Sequence, residues 1–245
     1  MTTHKSDTSL KVYQGKKLKT PIKIRDVKIT DKVHELLNLI KDKSTKVVFV
    51  SGPAGTAKTF SGVLGGLQLL NNKRVSDILY IRNVVESSSQ KMGYLPGDVN
   101  SKISPFLAPL MDKLEELVSK GDAEALISEG GHIHGLPVNY LRGMNWNAKY
   151  VILDEAQNLT EEDLLTVITR MGEYGKLIIC ADPYQSDIGS RSGFTTVKNV
   201  YSDAVANDKG IFAFEFTTED IVRSELVKFI VERWNEYKAS LKPKK

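Results

Sequence analysis

Apolar and polar positions along this chain follow two rhythms. Short runs rich in β-branched and aliphatic residues predict buried parallel strands at Val47 to Val50, Ile78 to Ile81, Tyr150 to Leu153, Leu177 to Cys180 and Ile211 to Phe216. Between them the apolar positions recur with helical spacing. Val33, Leu36, Leu37 and Ile40 form one face, Leu64, Leu67 and Leu70 a second, and Leu164, Leu165, Ile168 and Met171 a third. A last helix is predicted from the caps Thr217 and Thr218 and from Glu219 and Asp220 at its positive end. Its buried stripe would be Ile221, Val222, Leu226, Ile230, Val231 and Trp234. Repetition of strand, helix and strand gives an α/β fold, a parallel sheet with helices on both faces.

One connection is too long for a simple crossover. Residues 84–149 are read as an insert. It holds a turn-rich stretch at Gly93, Pro96 and Gly97, a predicted helix from Pro105 to Lys120, a second from Asp122 to Glu129, and a break at Gly130 and Gly131. His132 and His134 could supply two metal ligands, but no nearby cysteine or acid pair completes a set of four. Tyr94, Phe106, Tyr140 and Trp146, beside Lys91, Lys102 and Arg142, either stack on unpaired bases or pack in the core.

The chain has 245 residues, 41% hydrophobic and 26% charged, which excludes a disordered or collagen-like polymer and fits one compact domain. The single cysteine, Cys180, cannot form an internal bridge; it reads as a small buried hydrophobe in a protein of the reducing cytoplasm. No apolar run approaches the ~20 residues of a membrane span, and the polar start has no signal-peptide core. Net charge is +4, with +6 in residues 1–28, +4 in residues 238–245 and −6 in the body between them. The expected division is therefore a basic N-terminal extension (1–28), one domain (29–237) and a basic tail (238–245). Basic ends can hold a nucleic-acid backbone or serve as solubilising tails.

The chemistry begins after the first strand. Gly52, Pro53, Ala54, Gly55, Thr56, Ala57, Lys58, Thr59 and Phe60 stand between that strand and a helix, the context a phosphate-binding loop requires. Successive N–H groups and the helix N-terminus would cradle phosphates, Lys58 would reach the β and γ phosphates, and the Thr59 hydroxyl would face Mg²⁺. Ala57 replaces the usual glycine before the lysine. Asp154 and Glu155 close an apolar strand, where Asp154 would hold Mg²⁺ and Glu155 would act as general base toward water. Asp182 and Gln185 follow the next strand, and the Gln185 amide can accept from a water while donating to a phosphate oxygen. ATP and Mg²⁺ are the implied cofactors.

Together VSGPAGTAKT, VILDEAQN, DPYQSDI, RNVVESSSQKMGYLPGD and DIVRSELVKFIV resemble the PhoH-like proteins, a branch of the P-loop ATPases related to superfamily 1 helicases. That resemblance implies a RecA-like core and ATP hydrolysis by a ring-forming, hexameric protein, with RNA or DNA unwinding. A nucleotide-controlled protein-assembly switch is the alternative. Arg223 leads Arg142, Arg82 and Arg170 as the arginine expected to reach across a subunit interface. A glutamine that relatives carry in the first helix, near an adenine site, is not evident around Thr30 to His34.

Overall fold

The computed structural model describes residues 18, 20–83, 99–138, 141 and 143–240, with side chains of 99–106, 235, 238 and 239 left aside. All five predicted strands form: β1 (Val47–Ser51), β2 (Asp77–Arg82), β4 (Lys149–Asp154), β5 (Lys176–Ala181) and β6 (Ile211–Glu215). A sixth, β3 (Ile133–Pro137), comes from the insert, where glycine and proline hide it from a propensity reading. It pairs with β2 at the sheet edge, Ile78 opposite Ile133. The order is β3-β2-β4-β5-β1-β6, and every pairing is parallel. The carboxyl ends of β1, β4 and β5 therefore lie along one edge.

Each sheet face has its own core, because successive strand residues point to opposite sides. Val48, Val50, Ile152 and Ile178 pack with α1 (Asp31–Lys41), α2 (Lys58–Asn71), α3 (Val99–Leu117) and α4 (Lys120–Ile127). Phe49, Val151, Leu153 and Ile179 pack with α5 (Glu161–Ile168) and α6 (Phe194–Val200). Thr30 caps α1 by accepting from the Val33 N–H, and Val33, Leu36, Leu37 and Ile40 are buried as their spacing predicts. Ile22, Ile24 and Val27 pack on the first core, so the ordered body reaches into the segment read as a basic extension.

Several expectations are corrected. Helix α3 starts at Val99 and runs through both Pro105 and Pro109, since each proline removes one ladder bond while Leu110, Leu114 and Leu117 are buried. On α5, Leu165 is 42% exposed. Trp146 is 1% exposed and belongs to the second core. Tyr94, Tyr140, Lys91 and Arg142, and the side chains of Phe106 and Lys102, lie outside the described residues.

The last helix departs most. At the N-terminal end of a single 3-10 turn, Thr218–Asp220, Asp220 Oδ2 accepts from the Thr217 N–H at 2.7 Å and from its hydroxyl at 3.1 Å. The chain then runs as an irregular strap, in which only Ile221 of the predicted stripe is buried, before α8 (Glu225–Ser240) begins. Leu226, Ile230 and Trp234 are 66%, 54% and 50% exposed. Periodicity shows that a helix has an apolar face, not that its own chain covers it. A short helix α7 (Ala204–Asp208) precedes β6. Among the described residues, no helix is long and apolar enough to cross a membrane.

At the amino ends of β2, β3 and β4, Asp77 accepts from Lys149 and Ser76 and faces His132 and His134 at 3.5 and 3.7 Å. His132 Nδ1 is 2.9 Å from the Ser76 carbonyl, so the two histidines serve this polar cluster. Burial alone would raise the Asp77 carboxyl; His134, Lys149 and Ser76 outweigh it and hold the group well below the usual carboxylate range. A depressed folded-state value stabilises above the ordinary carboxylate pKa, about 4, and that contribution fades as pH falls. Asp77→Asn should therefore cost about 3 kcal/mol at pH 7 in urea unfolding, because it leaves Lys149 without its charge partner. The gap between wild type and variant should narrow below about pH 4.

Candidate active site

The turn from β1 into α2 forms a loop that closes on itself. Thr56 Oγ1 donates to the Pro53 carbonyl at 2.9 Å, and Lys58 Nζ donates to the carbonyls of Gly52 and Pro53, both at 2.7 Å. Gly55 has φ +85°, and a Cβ there would stand 2.9 Å from Arg223 Cγ. Ala57 takes φ 61° and ψ 24°, the left-handed conformation for which glycine is normally used. The loop thus keeps its shape despite the substitution, at a backbone cost. Burial lowers the Lys58 pKa, opposed first by Asp182 and then by Cys180, Glu155 and Asp154.

Thr59 Oγ1, in the first turn of α2, donates to Asp154 Oδ1 at 2.8 Å. Tyr80 on β2 donates from its hydroxyl to the other oxygen, Asp154 Oδ2, at 2.6 Å. Both Tyr80 and Asp154 are buried, so the phenol holds the carboxylate in one orientation. Hard oxygen donors on a hydroxyl and a carboxylate, beside a phosphate loop, suit Mg²⁺. Glu155 turns sharply out of β4 with φ 53°. Gln157 Nε2 donates to Glu155 Oε2, while Gln157 Oε1 accepts from the Asp182 N–H at 3.0 Å. Arg82 Nη2 lies 3.8 Å from Glu155 Oε1. Burial raises the Asp182 carboxyl against the opposing pull of the Tyr184 N–H, Lys58 and the Ala54 N–H.

Lys58, Thr59, Asp154, Glu155, Gln157 and Asp182 line one cleft of about 830 Å³. The structure brings Ala54, Gly55, Thr56, Ala57, Lys58, Thr59, Phe60, Asp154, Glu155, Gln185 and Arg223 to its wall, with Gly52 and Pro53 behind the loop as acceptors for Lys58. Arg223 lies along its own chain's loop, because the Val222 N–H donates to the Gly55 carbonyl at 3.0 Å. Arg170 is not in this cleft; its Nε is buried without a hydrogen-bond partner among the described residues. Cys180 is 1% exposed and burial pushes its thiol up, so it acts as a small hydrophobe.

Sequence reasoning passed over two residues. Gln157 stood inside the VILDEAQN motif, but its bridge from Glu155 to Asp182 spans two strands. Tyr80 offered a signal, a phenol in an apolar strand, since a buried hydroxyl needs a partner.

Strand β5 lies between the phosphate-loop strand β1 and the acidic strand β4. Together with the loop, Thr59 and Asp154, that order defines a P-loop nucleoside-triphosphatase fold with an intervening strand. Residues 27–235 match the PhoH-like protein family, and the chain belongs to it. A PhoH-like protein of Bacillus subtilis is 36% identical over 196 residues, covering 79% of this chain and 60% of that protein. One from Synechocystis sp. is 36% identical over 190 residues, covering 77% of this chain and 56% of its own. The chain thus spans somewhat over half the length of these curated relatives.

Two solved structures resemble it more loosely. The large terminase of a thermophilic bacteriophage is 14% identical, covers 84% of this chain and 50% of its own, and superposes with a TM-score of 0.49. Bacteroides Pif1 in complex with ADP-AlF4 is 15% identical, covers 84% and 45%, and gives 0.38. At these scores neither carries a functional assignment to this chain.

Relief of the left-handed alanine should make Ala57→Gly about 0.5 to 1 kcal/mol more stable in urea unfolding, net of its greater unfolded-state freedom. Tyr80→Phe should cost about 1 to 3 kcal/mol in urea unfolding, because it leaves the buried Asp154 Oδ2 without its hydrogen-bond donor.

Proposed function

We propose that this protein binds Mg-ATP in the cleft and hydrolyses it, coupling turnover to single-stranded RNA or DNA within a homo-oligomeric ring in the cytoplasm. The observation that carries the reading is the convergence of Lys58, Thr59, Asp154, Glu155, Gln185 and Arg223 on one cleft at the carboxyl edge of the sheet. Ligands of open α/β sheets bind at that edge.

Lys58 exchanges its two carbonyl partners for phosphate oxygens, while the loop N–H groups and the α2 N-terminus hold the remaining charge. Thr59 and Asp154 would hold Mg²⁺, which would supply Lewis-acid stabilisation of the transferring phosphoryl group. Glu155 accepts a proton from the attacking water as Gln157 and Arg82 orient its carboxylate. Gln185 positions that water against the γ phosphate. Arg223 stabilises developing charge from within its own chain.

The nucleic-acid half of the reading rests on the basic termini. The oligomer half rests on α8, whose exposed Leu226, Ile230 and Trp234 ridge suits association with another copy. That ridge also favours a second reading, a nucleotide switch for protein assembly. Size-resolved ATPase assays with and without single-stranded RNA and DNA separate the two: a motor is stimulated by the strand and loses that stimulation as salt rises. A rate that follows protein concentration and ignores nucleic acid supports the switch. Glu155→Gln should retain ATP binding while turnover falls about 10²-fold or more; an unchanged rate removes Glu155 as the base.

A further inference from the structure

Two chemically different sets of residues line the cleft beside the phosphate loop. One is Asp154, Glu155, Asp182, Gln185 and Arg223. The other combines apolar Val27, Ile29, Val33 and Phe60 with Lys28 and Thr30, and with Lys113 and Glu116 of α3. Apolar surface with a polar pair beside it is what a flat heteroaromatic ring requires, because its faces shed water while its edges keep hydrogen bonds.

Three segments distant in sequence supply this second set. Phe60 sits in the first turn of α2. The stretch carrying Val27 and Ile29 is tied to the last turn of α3, where the Arg25 N–H donates to the Leu117 carbonyl at 2.7 Å and its guanidinium donates to the Glu115 carbonyl at 2.5 Å. It is tied to α2 by Asn71, which accepts from the Ile22 N–H at 2.8 Å and donates to the Ile22 carbonyl at 2.9 Å. Lys113 and Glu116 stand one turn apart on α3, with side chains 26% and 48% exposed, and pair with each other. An exposed pair of this kind adds little to stability. Its position on the cleft wall gives it another use.

Resting on the nucleotide reading above, we infer that Lys113 and Glu116 read the edge of the nucleobase, so that helix α3 of the insert sets base preference. The Glu116 carboxylate accepts from the adenine 6-amino group, and the Lys113 ammonium donates to the adjacent ring nitrogen. Guanine presents the reverse order, an acceptor at position 6 beside a ring N–H, and meets each charge with the wrong partner. No glutamine in the first helix is then needed for selectivity.

The test compares equilibrium binding of Mg-ATP, Mg-GTP and magnesium tripolyphosphate, which has phosphates but no base. The double variant Lys113→Ala, Glu116→Ala should bind ATP about 10-fold more weakly, the loss of roughly one to two net hydrogen bonds, and tripolyphosphate within about 2-fold of wild type. The charge exchange Lys113→Glu, Glu116→Lys should abolish the preference for ATP over GTP. Unchanged ATP affinity in the alanine variant, or equal losses for ATP and tripolyphosphate, would overturn the inference. So would a wild-type protein that binds tripolyphosphate as tightly as ATP. If the wild type binds neither, the nucleotide reading itself fails.

Discussion

A hydroxyl donated by Thr59 to Asp154 across 2.8 Å joins two motifs that lie on strands with another strand between them. The contact exists only because β1, β5 and β4 run parallel in a fixed register, which brings their carboxyl ends to one edge. In a parallel sheet, a one-residue slip of β4 would turn Asp154 to the opposite face. The register is held by two apolar cores, one on each side, whose strand residues are almost wholly buried. Packing of hydrophobic faces thus sets the distance on which the polar chemistry depends.

Around that contact the buried polar groups satisfy one another in sequence. Tyr80 holds the far oxygen of Asp154, Gln157 links Glu155 to the start of the loop after β5, and Asp182 opposes the charge of Lys58. Such networks are costly when a member is missing, since each group left alone keeps its desolvation penalty. Two residues accept left-handed backbone beside this network, Ala57 and Glu155. Glu155 stands where β4 releases its chain, and Ala57 where the loop enters α2.

The insert and the C-terminal strap both contribute to the cleft wall. Helix α3 carries the N-terminal segment through the Arg25 contacts and shares the wall with Phe60. Val222 and Arg223 lie over the loop through the bond to the Gly55 carbonyl. The strap explains why the capping signal at Thr217 did not start a long helix: Asp220 completes a single turn, and the chain then crosses the loop before α8 begins. Among the described residues the α8 ridge of Leu226, Ile230 and Trp234 stays at least half exposed.

By itself the sequence determined the strand and helix alternation, the phosphate loop with Lys58 and Thr59, the acidic pair Asp154 and Glu155, and the Gln185 loop, because each is written in local spacing or in a short motif. Tertiary structure alone decided that β3 would join the sheet, that Tyr80 and Gln157 would hold the carboxylates, that Arg223 would lie beside its own chain's loop, and that the α8 stripe would face outward. These depend on contacts between segments tens of residues apart or more, and hydrophobic periodicity records that a face is apolar without recording what meets it.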